Sequence, residues 1–214
     1  MDFLPQHIED YAESFSRPEN KLLDELFHYT QTSVLKPRMI SGKVQGRVLS
    51  MLSHLVKPQF ILEIGTYTGF SALCLAEGLN DVGELHTIDV NDELRAVQER
   101  FIEKSDYAHK IYLHTGDAQH IIPKLNYPWD IVFIDADKEN YITYYEMVMP
   151  DMMKGGIIIA DNVLWSGKVT DEKLRETDKQ TKALHTFNKH VQNDPRVENF
   201  LLPFRDGLMI ARVL

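Results

Sequence analysis

FILEIGTYTGFSALCL, residues 60–75, opens as a short apolar run, passes glycines at 65 and 69, and continues as a segment with helical character. Gly65 permits a tight turn that carries backbone close to a ligand, and Gly69 permits a second close approach or tight helix packing. Similar apolar runs recur downstream: ELHTID at 84–89, KIYLHTG at 110–116, DIVFIDA at 130–136 and GGIIIAD at 155–161. Helical stretches start between them near Gly69, Asp92, Ala118 and Glu139. This alternation predicts a parallel sheet with helices on both faces. A tail helix over 172–192 and strands at 197–203 and 207–213 follow. The last two are separated by Arg205-Asp206-Gly207, short enough for a hairpin, which sets an antiparallel strand at the end of the sheet.

Upstream of Pro58 the pattern is that of amphipathic helices. Leu22, Leu23, Leu26, Phe27 and Val34 mark one over 19–35, opening at Pro18 and Glu19, and Val44, Val48, Leu52 and Leu55 mark another over 41–56. With no repeat or low-complexity linker in between, the expectation is a single domain over 1–214, with 1–57 as its helical N-terminal part. The two apolar stripes exceed what a small sheet needs, which points to a symmetric homodimer.

Composition narrows the function classes. Of 214 residues, 43% are hydrophobic and 26% charged, so a disordered or coiled-coil chain is excluded in favour of a compact one. The net charge of −9 argues against binding to a nucleic-acid backbone and suits a small uncharged or cationic ligand. The single cysteine, Cys74, allows neither an internal disulfide nor a thiolate metal cluster. No run reaches the roughly 20 apolar residues of a membrane span, and the acidic start does not read as a secretory signal, so the expected location is the cytoplasm.

In an open parallel sheet, ligands bind beyond the carboxyl ends of the strands. The first strand end and the turn after it carry Glu63, Gly65, Thr66, Gly69 and Ser71; Asp89 ends the second, where a carboxylate can accept both hydroxyls of a ribose; and Gly116-Asp117-Ala118 ends the third, suited to an adenine edge. The spacing does not suit a pyrophosphate, because Tyr67 stands where the second glycine of G-x-G-x-x-G would be, and nearby carboxylates repel phosphate. They favour a nucleoside cofactor with a cationic end, such as the ammonium and sulfonium of S-adenosylmethionine.

The fourth and fifth strand ends bring Asp135, Asp161 and Asn162 into adjacent loops. Two carboxylates and an amide oxygen make a hard, all-oxygen half-shell for Mg²⁺, with Mn²⁺ or Ca²⁺ as alternatives. The competing reading has Asp161 and Asn162 capping the next segment and Asp135 facing solvent. Lys138, three residues after Asp135, is a candidate base, since a divalent cation beside it lowers its pKa. Asp137, between them, is placed to reach the cofactor.

As an ordered set, "LEIGTYTGFSAL", "TIDVN", "GDA", "DIVFIDADKENY", "GGIIIADNVLWSGKV" and "LPFRDGLMIA" resemble the cation-dependent class I O-methyltransferases. The likeness spans roughly residues 36–214 and is stronger to the caffeoyl-CoA O-methyltransferase branch and its bacterial relatives than to catechol O-methyltransferase. The resemblance implies a Rossmann-like α/β fold with a seven-stranded, mostly parallel sheet whose last strand is antiparallel. It also implies a homodimer, and methyl transfer from S-adenosylmethionine to a vicinal diphenol. By motif it makes Asp135, Asp161 and Asn162 the metal ligands, and sets Lys138 and Asp135 at the reacting hydroxyl. Ser41, Glu63, Gly65, Thr66, Ser71, Asp89, Ala118, Asp135 and Asp137 become the cofactor contacts. Ile40 departs from the threonine of plant relatives, and acyl-CoA recognition is not implied. Met39, Tyr141 and Trp165 are candidates to wall a phenolic ring. Two other classes remain open: an NAD-dependent Rossmann-type oxidoreductase, and a non-catalytic nucleoside- or metal-binding protein acting through a partner.

Overall fold

The computed structural model describes residues 6–17 and 20–214, so Pro18 and Glu19, where the second helix was expected to open, lie outside the described residues. The chain divides into two compact units, one spanning 7–117 and the other 118–214. The first holds helices α1 (Gln6–Ser14), α2 (Lys21–Ser33), α3 (Lys43–Val56), α4 (Phe70–Ala76) and α5 (Arg95–Ile102), and strands β1 (Phe60–Ile64), β2 (Glu84–Asp89) and β3 (Ile111–Thr115). α2 begins where Asn20 accepts a hydrogen bond from the Leu23 amide at 2.9 Å, and it buries Leu23, Leu26 and Thr30 at helical spacing. β1 and β2 pair in parallel from Phe60 opposite Glu84 to Ile64 opposite Ile88, and β2 pairs with β3 out to Asp89 opposite Thr115.

α3 is turned the other way from its expected apolar stripe. It buries Gln45, Gly46, Leu49, Ser50 and Ser53, while Met51 and Leu55 are 62% and 74% exposed. The cause is close packing on α4: a β-carbon at Gly78 would lie 2.2 Å from the Ser53 carbonyl carbon, so small groups must line that contact. Polar pairs complete it. Arg47 forms a two-pronged ion pair with Glu77 at 2.8 and 3.0 Å, Ser50 Oγ donates to Glu77 at 2.5 Å, and Ser53 Oγ donates to the Leu75 carbonyl at 2.6 Å.

The second unit holds α6 (Ala118–Ile121), β4 (Trp129–Ile134), α7 (Tyr141–Val148), β5 (Met152–Ala160), α8 (Glu172–Thr177), α9 (Lys179–Gln192), β6 (Val197–Leu202) and β7 (Leu208–Val213). The tail helix is two helices. Asp178 takes an extended conformation and caps α9, accepting from the Thr181 amide at 2.8 Å and the Thr181 hydroxyl at 2.5 Å. β4 and β5 are parallel, from Ile131 opposite Ile157 to Ile134 opposite Ala160. β7 runs antiparallel to both β5 and β6, so the hairpin inserts the final strand and leaves β6 at the edge. The seven strands follow the order β3-β2-β1-β4-β5-β7-β6, the mostly parallel sheet with an antiparallel last strand that the sequence predicts.

Candidate active site

In the 7–117 unit the turn after β1 is held open by backbone that a side chain resists: Gly65 has φ 103° and Gly69 φ 89°, both in the region that favours glycine. Tyr67, between them, is itself left-handed at φ 49°. Hydrogen bonds at its amide, carbonyl and hydroxyl keep it there. Its amide donates to Asp89 Oδ2 at 2.7 Å, Gln98 Nε2 donates to its carbonyl at 2.8 Å, and its hydroxyl donates to the Leu35 carbonyl at 3.0 Å. The other oxygen of Asp89 accepts from the Asn91 amide at 2.8 Å. Asp89 therefore builds the turn as well as facing it, and its carboxylate keeps lone pairs for further donors.

Glu63 lies deeper. It is fully buried, its Oε2 accepts from Thr87 Oγ1 at 2.5 Å, and that hydroxyl shares a second 2.5 Å hydrogen bond with Thr66 Oγ1. This chain fixes Thr66 under the turn and gives Glu63 a supporting position beneath it. Ser71 is buried in the first turn of α4, Ser41 is buried ahead of α3, and Met39 is 55% exposed on a short 3-10 turn over Pro37–Met39.

In the 118–214 unit Ala118 is buried at the start of α6. Asp135 and Asp161 directly follow the register partners Ile134 and Ala160, and the Asp161 amide donates to the Ile134 carbonyl at 2.9 Å, so the two carboxylates leave adjacent strand ends. Asp161 is 4% exposed, and its Oδ1 accepts from the Asn162 amide at 2.6 Å. Asn162 adopts φ 59°, which asparagine tolerates better than most residues. Asp137 faces a different set of partners: its oxygens accept from Tyr144 Oη at 2.6 Å and Asn140 Nδ2 at 2.5 Å.

Lys138 is buried, and its ammonium donates to Asp135 Oδ1 at 3.0 Å and to Tyr141 Oη at 2.6 Å. The Tyr141 hydroxyl in turn donates to the Asp161 carbonyl at 3.0 Å. Burial disfavours the ammonium, but Tyr141 and the carboxylates of Asp135 and Asp161 outweigh it, and the Lys138 pKa is raised. The lowering expected for a base rests on a cation beside Lys138, whereas this direction reflects Tyr141 and the two carboxylates alone. Burial likewise raises the Tyr141 pKa, so its hydroxyl stays protonated at neutral pH. Tyr141 is fully buried, with its ring edge-on to Phe187 at 5.4 Å, and so stands behind Lys138 instead of presenting a face to a ring.

Trp165 sits in the loop after β5 at φ 49°, followed by Ser166 at 53° and Gly167 at 76°. The loop is tied down from the β6–β7 connection: Ser166 N donates to Asp206 Oδ1 at 2.5 Å, Leu164 N to the Asp206 carbonyl at 2.8 Å, and Val163 N to the Gly207 carbonyl at 3.2 Å. Asn188 Nδ2 adds a bond to the Val163 carbonyl at 2.9 Å. Neither Asp206 nor Asn188 carries a sequence signal for this role. Arg205-Asp206-Gly207 reads as turn punctuation, and Asn188 as one polar residue of an amphipathic helix.

Sheet order, a glycine turn after β1 and acidic residues at the strand ends together define a class I methyltransferase architecture. Comparison with known proteins agrees: the profile of the family described as O-methyltransferase matches residues 13–214. The chain belongs to the O-methyltransferase family, a family of S-adenosylmethionine-dependent enzymes. It is 34% identical over 184 residues to caffeoyl-CoA O-methyltransferase 5 of Nicotiana tabacum, covering 81% of this chain and 77% of that one. Among solved structures it is similar to the S-adenosylhomocysteine-bound methyltransferase PaMTH1 of Podospora anserina, with 27% identity, a TM-score of 0.89, and coverage of 99% and 98% of the two chains. An O-methyltransferase of Bacillus cereus in complex with S-adenosylhomocysteine gives 27% identity, a TM-score of 0.89, and coverage of 97% of each chain.

Proposed function

We propose that this enzyme transfers the methyl group of S-adenosylmethionine to one hydroxyl of a vicinal diphenol, with a divalent cation, foremost Mg²⁺, held by Asp135, Asp161 and Asn162. The observation that carries the reading is the pair of carboxylates on adjacent strand ends, one of them 4% exposed, with the Lys138 ammonium bonded to the other. Two anions against one cation leave that corner net negative, and a buried negative corner of oxygen donors fits a hard cation. Bound there, such an ion supplies Lewis acidity that lowers the pKa of a phenolic hydroxyl.

The residues of the chain do the rest. Asp135 orients Lys138, Tyr141 holds it from behind, and the ammonium sets positive charge where the acceptor oxygen becomes an anion, which favours a positioning charge over a proton acceptor. Trp165 forms a wall for the ring. On the donor side, the Gly65–Gly69 turn and Asp89 accept the nucleoside, with Thr66 and Ser71 beneath and beside it. The bound product of the two fungal and bacterial relatives supports this cofactor. The caffeoyl-CoA relatives support a phenolic acceptor.

Among the described residues, no helix is long and apolar enough to cross a membrane, and a cytoplasmic enzyme fits the lone buried Cys74. The outward face of α3 supports a symmetric homodimer. The test is a mass-spectrometric screen of vicinal diphenols beside their mono-hydroxyl analogues, with and without chelator. Diphenol-selective, chelator-sensitive methylation is expected, and full turnover in strong chelator overturns the metal reading.

A further inference from the structure

Trp165, Ser166 and Gly167 are consecutive left-handed residues, and two of them carry side chains for which that conformation is costly. The Trp165 indole adds a second cost: its Nε1 is buried and, among the described residues, has no hydrogen-bond partner. A loop with these features does not hold its shape through local preference. Besides turn bonds within the loop and Asn188 Nδ2 on the Val163 carbonyl, the contacts that hold it come from the Asp206-Gly207 pair, 40 residues from Ser166 in the chain. Asp206 takes the Ser166 amide on its carboxylate and the Leu164 amide on its carbonyl, so it brackets Trp165 on both sides. Gly207, at φ 87°, brings the connection so near that a β-carbon there would lie 2.5 Å from Leu164 Cγ. Lys168 then lies over the indole, with Nζ 5.8 Å from the ring centroid.

We propose that Asp206 is a positioning residue for the acceptor: by clamping the amides at 164 and 166 it fixes the indole of Trp165 and so sets which phenolic rings the enzyme accepts. This rests on the reading of Trp165 as the wall of the acceptor site. Asp206 is not among the residues assigned to the methyl donor, so donor binding serves as the control.

The test compares Asp206→Ala and Asp206→Asn in the full-length enzyme, each in the wild-type and Trp165→Ala backgrounds. Asp206→Ala is expected to raise the acceptor KM about 5- to 100-fold, the range for a lost buried hydrogen bond, while binding of S-adenosylhomocysteine changes less than about twofold. Asp206→Asn keeps an oxygen for the Ser166 amide and is expected to recover most of the loss. In the Trp165→Ala background the Asp206→Ala change is expected to leave KM within about twofold, because its effect acts through the indole. An equal KM loss in both backgrounds, or a fall in kcat with KM unchanged, overturns the proposal. Acrylamide quenching supplies a readout that needs no acceptor. Trp129 is fully buried, so quenching reports Trp165, and it is expected to increase in Asp206→Ala and to return in Asp206→Asn. If the wild-type enzyme methylates no vicinal diphenol, the functional reading fails while unchanged quenching alone refutes the role of Asp206.

Discussion

Removing the Asp89 carboxylate tests the donor side most directly. In Asp89→Ala, two backbone amides lose a charged acceptor: that of Tyr67, part-buried at 2.7 Å, and that of Asn91, exposed at 2.8 Å. The exposed amide turns to water at little cost. The part-buried one forfeits a charge-assisted bond worth about 1.5–3 kcal/mol, and the left-handed Tyr67 gives back about 1 kcal/mol when the turn relaxes. The net loss of stability is therefore about 0.5–2 kcal/mol, visible as a lower urea midpoint with an unchanged slope.

The loss of cofactor affinity is separate, because a carboxylate has about four lone-pair sites and the two amides use one on each oxygen. Ribose donors would take the remainder, so the variant should bind S-adenosylhomocysteine about 5- to 150-fold more weakly, corresponding to about 1–3 kcal/mol. Calorimetric titration measures this, and Asp89→Asn, with one oxygen retained, should fall between the two. A folded Asp89→Ala protein with wild-type affinity would remove Asp89 from the cofactor site and leave it only a builder of the turn.

The acceptor side makes a paired prediction: Asp161→Ala should behave as permanent chelation, with turnover abolished and S-adenosylhomocysteine binding retained. Lys138→Ala should lose about 10²–10³ in kcat, the weight of one electrostatic donor, by a factor that stays constant from about pH 6 to 9, and a defect that vanishes as pH rises would restore the general base. On α3, Met51 and Leu55 lie one turn apart and are largely exposed, so Met51→Glu should shift the mass seen by light scattering from twice 24.8 kDa toward a single chain. A wild-type protein of single-chain mass at micromolar concentration would remove the dimer. Arg196 holds the Asp194 carboxyl down to about 2, below its usual 3.8. A depressed folded pKa stabilises above the unfolded value and loses that stability as pH falls from about 4 to 2. With Asp194 only 4% exposed, up to about 2 kcal/mol should disappear over that window and be missing throughout in Asp194→Asn, as read by urea midpoints against pH.

Strand positions were legible because they are local: each apolar run between turn residues matches an observed strand within a few residues, and the acidic strand ends follow from where the runs stop. That Asp135 and Lys138 follow one strand end and Asp161 and Asn162 another was legible likewise, since spacing within each loop is a property of the chain alone. Periodicity could show that α3 has two faces but not which one the protein covers. That depended on α4 approaching so closely that serine and glycine, and not valine, had to lie inside. The break between α8 and α9 turned on whether Asp178 would cap or continue a helix, which its side chain decides only once the Thr181 amide is free to meet it.

The charge on Lys138 was beyond sequence for the same kind of reason. Its neighbour Asp135 is visible in the chain, but the burial and the field of Asp161 exist only when β4 and β5 lie side by side. Asp206 is the furthest case: three residues of turn sequence became the clamp on a loop 40 positions away. Apolar pattern and turn chemistry act within a few residues and can be read from order alone, whereas hydrogen bonds, desolvation and charge act through space and had to await the folded chain.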